Sequence, residues 1–217
     1  MIRALVLSAA AAGLVGGLVA AAYQALVVTP LILAAEVFEH AGEAAGHGAN
    51  SAGFGRHLLT TLATIILATG GALILLGLMM LDGREITARR ALPWGAAAFV
   101  ALALMPALGL PPELPGMPAA DLVERQVWWL ATVLATAFGL WTIFCRGGPT
   151  SIVLGVLVIV LPHVVGAPQP ASHDSVVPAG LAAQFVTSSL AGSLILWIVV
   201  SSVAGAMFDR LGAGADE

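Results

Sequence analysis

Residues 4–35 read ALVLSAAAAGLVGGLVAAAYQALVVTPLILAA, a stretch without a single Asp, Glu, Lys or Arg. A bilayer core of roughly 30 Å asks for about 20 residues of helix, so this stretch can cross one with length to spare. Five more uncharged runs follow, at 57–81, 91–112, 126–145, 147–173 and 175–208. Each can supply one span. The chain as a whole is 59% hydrophobic and 9% charged, whereas soluble proteins carry about 25% charged residues. Six buried helices with almost no polar face would leave a soluble protein without its charged skin, and lipid is the simplest replacement. A barrel is excluded, because barrel strands are about 10 residues long and alternate in polarity.

The expected fold is therefore all-α: a polytopic membrane protein with six transmembrane helices, one transmembrane domain over 1–217. Helices are expected at about 3–40, 57–81, 91–109, 124–145, 150–165 and 179–208, with Pro30 bending the first. All eight basic residues are Arg. With the N-terminus inside, the cytoplasmic segments hold Arg3, Arg84, Arg89, Arg90, Arg146 and Arg210, and the outer ones hold Arg56 and Arg125. That asymmetry predicts both termini in the cytoplasm. Arg3, the apolar stretch and the small residues around 20–22 have the outline of a secretory signal. The apolar run continues without a polar break through Leu33, so the segment is expected to stay as the first helix. The lone Cys145 permits no internal disulfide.

The chain also reads as hairpin repeats, 1–81, 91–145 and 150–208. Met105-Pro106 stands six residues before Pro112, and Leu161-Pro162 stands six before Pro168. Each proline-rich outer loop reaches a further proline, Pro118 or Pro178, expected to open the returning helix. Gly13 and Gly17 form a GxxxG pair, and Gly70, Gly71 and Gly77 mark the second helix as places of close approach.

On this topology all five histidines, His40, His47, His57, His163 and His173, fall on or near the outer side. Glu36, Glu39, Glu43, Glu113, Asp121, Glu124 and Asp174 join them. Imidazole with carboxylate suits divalent first-row metals such as cobalt, nickel or zinc. Glu36, Glu39, His40, Glu43 and His47 project to roughly 0°, 300°, 40°, 340° and 20° on a continuing helix, one shared face. A solvated helix end is the plainer reading of the same spacing. His163 follows Pro162 at the end of an apolar helix, where a break frees backbone carbonyls, so it is either a site residue or a satisfied structural histidine. His173-Asp174 forms a further candidate pair in a polar loop. Gln24, Gln126 and Gln184 interrupt or flank the spans and could line a path, and Trp128-Trp129 reads as an interfacial anchor.

The chain contains no lysine, which excludes a phosphate-binding P-loop, a Schiff-base lysine and a Ser-Lys pair. Neither H-E-x-x-H nor G-x-S-x-G occurs. No enzymatic activity is expected.

Four stretches carry a family resemblance: TPLILAAE at 29–36, ALGLPPELPG at 107–116, AADL with RQVWW across 119–129, and LPH with GAPQP across 161–170. With these the chain resembles CbtA, a family proposed to supply a cobalt transporter subunit in bacteria, over nearly its whole length. The resemblance implies a multi-pass protein of the bacterial cytoplasmic membrane that takes up Co2+ for cobalamin synthesis. Its implied partners are the lipid bilayer and a small single-span companion, CbtB, with no nucleic acid and no tightly bound cofactor. The residues it carries over are Glu36, Glu113, Asp121, Arg125, Gln126, His163 and Gln169. The sequence thus nominates Glu36, Glu39, His40, His163, His173 and Asp174 as metal-collecting residues. Gln24, Glu113, Asp121, Arg125, Gln126 and Gln169 are nominated for the path or its motifs. The alternative is a non-conducting scaffold that partners a separate metal-binding subunit.

Overall fold

The structure, a computed structural model, describes residues 1–40 and 53–213. Among these it contains helices and loops and no strand. Helix α1 occupies 2–40, as Ile2–Tyr23, a π turn Gln24–Val28, and Thr29–His40. Helices α2 (Gly53–Leu81) and α3 (Ala88–Ala107) follow, then α4 (Leu122–Arg146), α5 (Pro149–Val165) and α6 (Ala179–Ala213). Five of the six are long and apolar enough to cross a membrane. The sixth, α5, has 17 residues, a length of about 26 Å at the helical rise, which is the short end of the spanning range. The chain is a polytopic helical membrane protein, and the six uncharged runs lie on these six helices.

Prolines shape two of the helices by the same device. Pro30 and Pro106 have no N–H to donate, and each ring would press on the carbonyl four residues back. In both cases a π turn ends two residues before the proline. The Thr29 N–H donates to the Gln24 carbonyl and the Met105 N–H to the Val100 carbonyl, each five residues back. The wide turn accommodates the ring while the helix continues, so α1 runs on through Pro30 with Thr29 helical at φ −59° and ψ −42°. A third π turn, Thr142–Arg146, ends α4. Gly147 and Gly148 follow with φ of +63° and +83°, a conformation that favours glycine, and Pro149 opens α5.

The expected start of α4 needs correcting. Pro118 does not open it; Asp121 does, its Oδ1 accepting hydrogen bonds from the N–H groups of Val123 (2.9 Å) and Glu124 (3.2 Å). A carboxylate satisfies the free N–H groups of a first turn, which a proline cannot. Pro178 does stand at the head of α6, its carbonyl accepting from Leu181 and Ala182.

Contacts divide the chain into two compact units. The first takes Met1–Pro30, Ala45–Ala96 and Ala191–Glu217. Its core is built from small residues, Ala9, Ala12, Ala68, Ala72 and Ala204, around Leu75, Leu76 and Val200. Gly13 and Gly17 bring α1 against Thr69 and Ile65 of α2; a Cβ on Gly17 would stand 2.6 Å from the Ile65 Cα. Gly71 does the same for the Trp197 ring of α6, whereas Gly70 and Gly77 face open space. In the absence of a hydrophobic drive between helices in lipid, this close backbone approach supplies the packing.

The second unit takes Leu31–Ala44 and Ala97–Leu190. Gly139 of α4 and Gly155 of α5 pack reciprocally, each within reach of the other's carbonyl oxygen. A Cβ on Gly139 would meet the Gly155 oxygen at 2.7 Å. Gly139→Ala should therefore destabilise the protein by about 1–3 kcal/mol in detergent unfolding. Gly70→Ala, with nothing within 4 Å, should be neutral or gain up to about 1 kcal/mol.

Candidate functional site

Two loops rich in proline meet at one end of the second unit, the α3–α4 loop at 108–121 and the α5–α6 loop at 166–178. Proline fixes φ and limits the conformations open to each loop. Between them lies a cleft of about 210 Å³. Glu113 and Met117 line it from the first loop, and Gln169, His173 and Ser175 from the second. Three nominated residues distant in sequence, Glu113, Gln169 and His173, thus line one cleft.

Glu113 is the acid of this lining, and it is paired. The Arg125 Nη2, from the first turns of α4, stands 2.8 Å from its Oε2, with side chains 28% and 21% exposed. The Arg125 Nε is buried and, among the described residues, has no acceptor. Gln169 donates from Nε2 to the Ala167 carbonyl at 3.2 Å, leaving its amide oxygen uncommitted to that bond. His173 and Asp174 are exposed, and the Asp174 Oδ2 accepts from the Ser172 hydroxyl.

Beneath the loops, α4 and α5 are joined by Trp128 and His163. Trp128 is 8% exposed, and its ring packs against Gly109. Its Nε1–H donates to the Pro162 carbonyl at 3.2 Å. The His163 ring lies edge to face with it, centroids 5.6 Å apart at 75°. His163 Nε2 is buried with no hydrogen-bond partner among the described residues. Trp128 is thus a buried strut, and Trp129, 39% exposed, is the one of the pair on the surface.

Below Trp128 the buried face of α4 is polar. Thr132 and Thr136 are fully buried and Thr142 nearly so. Val127, Leu130, Leu134, Phe138 and Trp141 are exposed. Thr132 and Thr142 return their hydroxyls to carbonyls four residues back, at 2.9 and 2.8 Å. Thr136 Oγ1 has no partner among the described residues. This face packs on the π turn of α3 and on α5. The sequence reading passed over these threonines, although Trp128, Thr132 and Thr136 recur every four residues, the spacing of one helical face.

The other nominated residues lie elsewhere. Gln24 sits in the π turn of α1, in the first unit, where its Oε1 accepts from the Thr64 hydroxyl at 3.4 Å. Glu36 is half-buried on α1 in the second unit and does not line the cleft. Glu39 and His40 close the same helix with side chains outside the described part, and Glu43 and His47 lie outside the described residues. Gln126 is exposed on α4, and Asp121 caps it. Among the described residues no three His, Cys, Asp or Glu side chains come together to hold a metal ion.

Five helices long and apolar enough to cross a membrane, with a shorter sixth, define a multi-pass membrane protein. The chain belongs to the CbtA family, described as a probable cobalt transporter subunit, whose model matches residues 2–209. No curated protein and no solved structure matches it. Family membership makes it a transport subunit, with cobalt as the cargo the family description names.

The strut can be tested directly. Trp128→Phe removes the bond to the Pro162 carbonyl, and should cost about 1–2 kcal/mol in reversible detergent unfolding.

Proposed function

We propose that this chain gathers hydrated Co2+ at the cleft between its α3–α4 and α5–α6 loops and passes it inward across the bacterial cytoplasmic membrane. The observation that carries this reading is the convergence of Glu113, Gln169 and His173 on one cavity. A carboxylate, an amide oxygen and an imidazole are suitable ligands for a first-row divalent ion, which would keep part of its water shell there. His163, whose Nε2 has no partner among the described residues, and Glu36 help strip water from the ion near the entrance. His173 and Asp174 attract it at the rim, with Glu39 and His40 on α1 contributing charge. Gln24 and Gln126 belong to the path. The role is non-enzymatic, and the single-span companion CbtB is the subunit that completes the transporter.

The arginine distribution supports a reading with both termini in the cytoplasm and the cleft on the outer face. A divalent ion entering down about 100 mV gains roughly 4.6 kcal/mol, enough for about a thousandfold accumulation without ATP. The scaffold reading draws on a different observation, the backbone-close contacts of Gly13 and Gly17 with α2 and of Gly139 with α5, which leave little room between those helices.

Two measurements test the proposal. Radioactive cobalt uptake should rise when the chain is expressed with its companion, and Glu113→Gln and His173→Ala should each lower it about tenfold at equal membrane abundance. Equal uptake with and without this chain would favour the scaffold. The orientation is read by Cys145, the chain's single thiol, which is exposed. A membrane-impermeant maleimide should label it in inside-out vesicles and leave it unlabelled in intact spheroplasts.

A further inference from the structure

We infer that Arg125 is a tethered counter-cation which an arriving ion must displace from Glu113, and that this exchange makes the cleft select divalent over monovalent cations. The inference rests on the reading of the cleft as a cation site. Its starting point is a mismatch between that role and the resting charge. Glu113 is the one acid among the residues lining the cleft, and Arg125 already stands 2.8 Å from it. Asp121 lies close by in sequence, but its carboxylate is committed to the first turn of α4. Within the lining, the charge of Glu113 is therefore already matched by Arg125, which leaves Asp174 at the rim to draw a cation in.

An ion can gain the Glu113 carboxylate only by replacing the guanidinium. A monovalent ion brings the same single charge that Arg125 already provides, and gives up the charge-assisted hydrogen bond as well. A divalent ion brings twice the charge, and attraction scales with it. The ion can also draw on the lone pairs of the His173 imidazole and the Gln169 amide oxygen, which line the same cleft and to which Arg125, among the described residues, makes no hydrogen bond. Both partners of the pair are largely buried, so salt in the medium screens the contest less than it would at an open surface.

The pair is also built for exchange. An arginine locks a carboxylate most firmly through two parallel N–H bonds. Here the Nη2 makes the contact, while the Nε is buried with no acceptor among the described residues. The side-on fork is unmade. The arrangement holds Glu113 through Nη2 without the Nε of the side-on fork, strong enough to exclude a weak competitor and open to a stronger one.

The test uses the purified full-length chain in lipid nanodiscs, with Co2+ binding followed by titration calorimetry and Na+ as competitor. In the wild type, raising Na+ at constant ionic strength, against a bulky organic cation, should leave Co2+ affinity unchanged. Arg125→Gln should tighten Co2+ binding about tenfold and make it sensitive to Na+. Arg125→Lys keeps the charge and should stay closer to the wild type than the Gln variant does. The exchange is overturned if Na+ competes with Co2+ in the wild type, or if Arg125→Gln binds Co2+ no more tightly while unfolding at the wild-type temperature. Glu113→Gln separates the two ideas. If it abolishes Co2+ binding while Arg125→Gln changes nothing, the exchange fails and the cation cleft stands. Unchanged binding in Glu113→Gln removes the cation cleft, and the exchange with it.

Discussion

Inside hydrocarbon there is no water to take up a stray N–H or carbonyl, so every backbone group has to be satisfied by the protein itself. That constraint governs this chain because its sequence breaks the regular pattern repeatedly, at Pro30, Pro106 and Pro162. The answers differ in detail and agree in principle. Ahead of Pro30 and Pro106 the helix widens by one residue; past Pro30 it runs on to His40, and past Pro106 it closes at Ala107. At Pro162 the carbonyl accepts from both Gly166 N–H and the indole of Trp128. The second of these bonds crosses from α5 to α4, so backbone satisfaction there also positions His163 against the tryptophan ring.

The same economy explains why α4 is built with its polar face inward. A threonine on either face can return its hydroxyl to a carbonyl of its own helix, as the exposed Thr187 and the buried Thr132 and Thr142 do, and on α4 that bond lets hydroxyl-bearing side chains sit inward. Leucine, phenylalanine and valine cover the opposite face, where chain carbons are the solvent. The segment thus inverts the pattern of a soluble amphipathic helix.

Much of the architecture was legible in the sequence because length and charge alone dictate a bilayer span. Each uncharged run falls on one helix, though the run 147–173 extends eight residues past the end of its helix at Val165, and Gly147, Gly148 and Pro149 form the reversal their types suggest. The misreadings share a cause: they depended on what a side chain meets across space. Trp128 and Trp129 are adjacent and chemically identical, yet one is a buried strut and the other surface, a difference set by Gly109 and Pro162. Pro118 and Asp121 both suit a helix start, and the carboxylate does the capping. Of the candidate ligands, residues from separate loops met, Glu113 with Gln169 and His173, because hairpins bring alternate loops to one end. The tightest cluster in sequence, 36 to 47, extends beyond the described residues.

The wide turns at Gln24–Val28 and Val100–Leu104 have a consequence for how this chain can vary. Each is in effect a single inserted residue, and one residue turns a helix by about 100°. Remove one residue from the first turn, and the helix beyond it, Glu36 included, turns by that angle about its own axis, although no side chain has been altered. Remove one from the second, and Pro106 and the start of the α3–α4 loop swing with it. The register of the chain is therefore counted as well as spelled: a gap of one position in these five-residue windows would re-aim a whole helix end, while a substitution at the same place would leave its direction intact.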